Sequence, residues 1–106
     1  MTARAIIMAA AIAAGLGPAG AARAAGDVAS GHALARQWCM SCHVVEDGGP
    51  GPDTAPPFAA VARRHAGDRS WVRAWLTSPH PPMPNFNLAR QQIEDIIAYL
   101  DSLAPR

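Results

Sequence analysis

Both cysteines of the chain fall in one six-residue stretch, Trp38-Cys39-Met40-Ser41-Cys42-His43, with a histidine directly behind the second. Two thiols at this spacing support three kinds of chemistry. They can exchange a disulfide, hold two corners of a zinc site, or add across the two vinyl groups of a haem as thioethers. Each chemistry requires different partners elsewhere in the chain.

A structural zinc ion wants four ligands, and the pair supplies two. His43 is too close in sequence to complete the set alone, and His32, His65 and His80 show no paired spacing. A thioredoxin-like dithiol, suggested by the tryptophan before the first cysteine, needs a βαβ framework with the motif at a strand-to-helix junction. No β-rich run flanks this motif. Haem attachment accounts for every residue: two intervening positions let one turn present both sulfurs along a porphyrin edge, and His43 is then held under the iron as an axial ligand.

What fills the opposite face of the iron sets the function. Met40, inside the attachment turn, cannot reach that face and reads as packing. Met83 stands in the proline-rich strap "SPHPPMPNFN", where a flexible thioether on a stiff backbone can cross over the haem. His80 is the alternative, and His32 and His65 read as surface histidines. With His43 and Met83 both bound, the iron has no open position for a substrate.

The elements that must position these groups are helices. Small or apolar residues at Val28, Gly31, Leu34, Ala35 and Trp38 give a helix from Asp27 to about Met40, with Asp27 as its cap. Residues 46–57 are crowded with glycine and proline and read as a surface loop. A short helix fits over Phe58 to Arg64. Asp68 or Ser70 caps a further helix containing Trp71, Val72, Trp75 and Leu76, which Pro79 stops. Asn87 is the expected cap of a last helix whose Ile93, Ile96, Ile97, Leu100 and Leu103 form one apolar face. No strand is expected.

The first residues have a different character. Met-Thr-Ala-Arg precedes an apolar run from Ala5 to Leu16 and a small-residue site, Ala22-Arg23-Ala24. This is the pattern of a secretory signal peptide over residues 1–24, removed on export, and its run is too short to span a bilayer. Residues 25–106 remain as one domain, in which seven arginines face eight acidic residues and lysine is absent. No basic patch points to nucleic acid. About 80 residues is little chain for a core, so a bonded cofactor also supplies apolar mass that the side chains lack.

With these residues in place, the chain resembles a small bacterial class I c-type cytochrome over essentially all of residues 25–106. Beyond the Cys39–His43 motif, Gly31 lies eight residues before Cys39, where the family keeps a small residue at the crossing of its first and last helices. "DIIAYLDSL" resembles the last helix, with Tyr99 packing at that crossing. "APPF" resembles the segment whose proline carbonyl accepts the axial histidine's N–H; that role falls to Pro56, with Pro57 adjacent. "WLTSPHPPMPNF" resembles the ending that delivers the methionine ligand. An aromatic that the family usually places four residues before the first cysteine is Ala35 here. The resemblance implies an all-α, cytochrome c-like fold of three to four short helices around one covalently attached haem, and a propionate contact from Trp71 or an arginine such as Arg73.

The expected function is that of a periplasmic monohaem electron carrier, not an enzyme. Electrons would pass through the exposed haem edge by outer-sphere transfer. It would work free or as the electron-accepting subunit of a dehydrogenase or oxidase complex. The expected partners are redox proteins, with no membrane span after cleavage and a monomeric state. Near-neutral charge points to docking on apolar surface near Pro81, Pro82, Met83 and Phe86. The alternatives are a five-coordinate haem protein acting as ligand sensor or peroxidase and, more remotely, a thiol-disulfide oxidoreductase.

Overall fold

The computed structural model describes residues 10–15, 17 and 25–105. Most of the expected leader, and its cleavage site, lie outside the described residues. Four helices follow: α1 (Val28–Trp38), α2 (Phe58–Arg64), α3 (Arg69–Thr77) and α4 (Arg90–Leu103). No strand occurs among the described residues, so the all-α expectation holds. No helix among them is long and apolar enough to cross a membrane.

The apolar stripe of α4 organises the core. Ile93, Ile96, Ile97, Tyr99 and Leu100 are all buried and pack with Ala35 of α1, Phe58 and Ala62 of α2 and Val72 of α3. Each of the other helices meets α4. The closest approach is to α1. A Cβ built on Gly31 would fall on the backbone carbonyl of Asp95 and 2.9 Å from Tyr99 Cβ. Only glycine allows the two backbones to cross there.

Polar links fix how the helices sit on α4. Asp27 caps α1, its carboxylate accepting from Ser30 N at 2.8 Å and Ser30 Oγ at 2.6 Å, which holds the carboxyl below its usual range. Its own N–H donates to the buried Asp95 at 2.8 Å, tying the start of α1 to α4. Arg73 grips Glu94 with two bonds of 2.6 and 3.1 Å, and Arg69 pairs with Asp101 at 2.6 Å. The side-chain bond from Arg73 holds the Glu94 carboxyl low and pushes the guanidinium higher. These pairs join α3 to α4.

The helix ends refine the expectations. α1 stops at Trp38 rather than Met40, because the chain has begun to turn at Cys39, the C-cap. Asp68, not Ser70, caps α3, accepting from Trp71 N at 3.0 Å. Asn87 does not cap α4. It sits in the left-handed region (φ 52°) and donates its N–H to Asn85 Oδ1 at 2.8 Å. The helix starts later, after Ala89, whose N–H is accepted by the Gln92 side chain at 2.8 Å. Asn87 has the right residue type but lies in a turn two residues too early.

The crossing gives a direct test. Gly31→Val should lower unfolding stability by about 3 kcal/mol, the upper part of the range for overpacking, because the obstacle is backbone. Denaturant titration measures it, and a loss under about 1 kcal/mol would contradict the close crossing.

Candidate functional site

The cysteine motif begins where α1 ends. Cys39 N donates to Ala35 O at 2.9 Å, closing the helix. Cys42 N and His43 N then both donate back to Cys39 O, at 3.2 and 3.0 Å, so residues 39–43 form one tight turn. Cys39 is half-buried against the core and Cys42 is exposed, and both are free thiols. Burial, reinforced by the neighbouring Cys42, pushes the Cys39 thiol up to about 11. Exchange-active dithiols need the opposite shift, towards thiolate.

The loop after the motif folds back and fastens to it. Ala55 N and Thr54 Oγ1 donate to Cys42 O at 3.0 and 3.2 Å, and Phe58 N donates to Val44 O at 2.9 Å. Between these anchors, Pro56 O receives the Nδ1–H of His43 at 2.6 Å. Of the two adjacent prolines it is therefore Pro56 that faces the imidazole. This assignment puts the proton on Nδ1 and leaves Nε2 as the ring's lone-pair donor. The edge of the ring rests against Phe58, centroids 5.3 Å apart. Gly51 backs the same segment closely. A Cβ placed on it would lie 3.2 Å from His43 O and Val44 Cα, and its φ of 151° is a backbone conformation that favours glycine.

Tyr99 supports this loop from below. Its hydroxyl donates to Val45 O at 2.6 Å, and Val45 is 1% exposed. Burial pushes the phenol above its usual range. The family resemblance assigns Tyr99 only to the helix crossing. The hydrogen bond two residues past His43 spans 54 positions of chain and leaves no local signal.

The remaining histidines are engaged by neighbours. His32 meets Glu46 at 2.9 Å and stacks on Tyr99 at 4.8 Å, so it is not the plain surface group expected. Glu46 also takes Arg36 at 2.8 Å, and the His32 bond is the main cause of its lowered pKa. His65 likewise has a partner, lying flat on Trp71 with centroids 3.5 Å apart and planes 6° apart.

Met83 is half-buried on the strap after α3. Its N–H donates to His80 O at 3.0 Å, and its sulfur accepts the indole N–H of Trp75 at 3.1 Å. The His80 ring is exposed and lies against Trp75. Trp71, half-exposed, stacks between His65 and Trp75. The Arg73 guanidinium donates two hydrogen bonds to Glu94 of α4.

The donor set suits a haem bound through both thiols. It offers two free thiols on one turn, an imidazole oriented by a backbone carbonyl with Nε2 free, and a thioether on a braced strap. A family model for cytochrome c matches residues 28–104. The chain belongs to the cytochrome c family. Cytochrome c-552 of Bradyrhizobium diazoefficiens is 44% identical over 82 residues, covering 76% of this chain and 79% of that protein. No solved structure matches the chain significantly. The four-helix, strand-free architecture of the described residues agrees with the family. It is a small bacterial class I c-type cytochrome: a monohaem electron carrier with covalently bound haem c, not an enzyme.

Tyr99→Phe tests the support beneath the motif loop of this cytochrome. The Val45 carbonyl would stay buried without its donor, costing about 1–3 kcal/mol of unfolding stability in the haem-loaded protein. A variant as stable as the parent in denaturant titration would show that the bond contributes nothing net.

Proposed function

We propose that Cys39 and Cys42 bind the haem by thioether bonds, that His43 and Met83 ligate its iron, and that the protein carries single electrons in the periplasm. The observation that bears most weight is the His43–Pro56 hydrogen bond of 2.6 Å, since an imidazole held this way presents Nε2 in one orientation and is a stronger donor to a metal. Bound haem supplies a one-electron change between ferric and ferrous iron. The chain's own part is to keep both axial donors fixed, so that little has to reorganise when the charge changes.

Each side chain contributes to that rigidity. The thiols anchor the group to the end of α1. Pro56 O orients His43, and the bonds from Ala55, Thr54 and Phe58 hold Pro56 in turn. Met83, a soft thioether, favours the ferrous state. A propionate contact from Trp71 is part of the same proposal, since its ring is half-exposed beside the strap. The leader pattern of residues 1–24 supports export and cleavage, with residues 25–106 as the working domain.

The partners in this reading are other redox proteins, met as a free monomeric carrier or within an oxidoreductase complex. Pro81 and Pro82 are exposed beside Met83, and Phe86 packs against the exposed Trp38 at 5.7 Å, giving an apolar contact surface with little charge. Electron-transfer rates with a physiological partner should therefore change little between low salt and about 0.15 M, where the screening length is about 8 Å. A steep fall with ionic strength would contradict apolar docking.

The ligand assignment has its own test. The oxidised protein should show the weak long-wavelength band of methionine sulfur bound to ferric iron, and Met83→Ala should abolish it. A high-spin parent spectrum with ready carbon monoxide binding would instead favour the five-coordinate sensor or peroxidase.

A further inference from the structure

The two ligand-bearing segments stand on different helices. The motif turn with His43 follows α1, and the strap with Met83 follows α3. Among the described residues, the hydrogen bonds of positions 80–87 stay within the strap or go to α3. Met83 N–H donates to His80 O at 3.0 Å, and beyond Met83 the Asn85 amide donates to Thr77 O at 3.4 Å. Asn85 Oδ1 also accepts from Asn87 N at 2.8 Å, which closes a turn around Phe86 with Asn87 at φ 52°. These bonds shape the strap and tie it to its own helix, but they do not join it to the motif turn.

The link across is aromatic. Trp38 closes α1 and directly precedes Cys39, and its ring meets Phe86 with centroids 5.7 Å apart and planes tilted by 54°. Aromatic pairs attract at this separation beyond what their buried area supplies. Trp38 is 43% exposed, so core burial does not account for so large a ring at this position. Its contact with Phe86 joins the neighbour of a haem-bonding cysteine to a residue shortly after Met83. We propose that Trp38 and Phe86 form a clasp that holds the Met83 strap to the motif turn and sets how readily Met83 leaves the iron. The inference rests on Met83 being an iron ligand. Release of the sulfur requires the strap to swing away from the turn, and the two rings must part for it to do so. Both therefore act as positioning residues for Met83, although neither touches the sulfur.

Ligand replacement in the ferric, haem-loaded protein tests the clasp. At saturating imidazole the fading of the sulfur–iron band follows release of Met83. Trp38→Ala should speed that fading about 2- to 12-fold, the range that one aromatic pair supports, and Phe86→Ala should do the same. Before imidazole is added the band should be present in both variants, because the clasp governs how long Met83 stays and not which donor binds. The double variant should be no faster than either single one, and multiplied effects would show that the two rings act separately and overturn the proposal. Trp38→Phe keeps an aromatic ring and should stay within about twofold of the parent. Val28→Ala, at the other end of α1 and 46% exposed in the parent, should leave the rate unchanged. A parental rate in Trp38→Ala, or a Trp38→Phe as fast as Trp38→Ala, would overturn the proposal. If the alanine variants fail to retain haem, the ferrous parent decides: Overhauser contacts between the Trp38 and Phe86 ring protons are expected, and their absence would overturn it. Failure of the ligand assignment looks different, because the parent would then lack the sulfur–iron band altogether.

Discussion

The bond between the His43 imidazole and the Pro56 carbonyl is the constraint from which the site follows, because it decides which ring nitrogen is left to donate and where it points. It forms only because residues 54–58 are laced to residues 42–44 by three further hydrogen bonds. That lacing needs a floor, which Tyr99 supplies through Val45 O, and Tyr99 is carried by α4. The position of α4 depends on its crossing with α1, where Gly31 lets the backbones touch. A site in a loop is thus made rigid by a chain of contacts that ends in a helix pair.

The two sides of the expected haem are braced by different means. On the His43 side the restraint is hydrogen bonding to backbone, with Phe58 as an apolar edge. On the Met83 side it is a column of aromatic rings ending in a single N–H donor. This division suits the two ligands. An imidazole binds strongly once oriented, whereas a thioether binds weakly and needs its position imposed.

Much of this is legible in the sequence, for identifiable reasons. Helix periodicity and the Asp27 and Asp68 caps are local patterns, and the Cys39–His43 spacing is a local motif. The short helix at Phe58 to Arg64 has the limits read for it. Gly31, Tyr99 and Pro56 become readable only through resemblance to the family, since nothing adjacent in sequence marks what they touch. Asn87 misleads because a residue type that caps helices also favours left-handed turns, and here the turn prevails. The Arg73–Glu94 pair leaves no local signal, because the two residues lie 21 positions apart on different helices. The Trp75–Met83 bond joins residues eight apart across a bend, which helical spacing does not encode.

The central proposal is that His43 and Met83 together bind the iron of a haem fixed by Cys39 and Cys42. Near-infrared magnetic circular dichroism of the ferric protein tests this pairing most directly, since the porphyrin-to-iron charge-transfer band moves with the identity of the axial ligands. The expected result is the band position of histidine with methionine. A band at the position of two histidines, or of histidine with water, would contradict it.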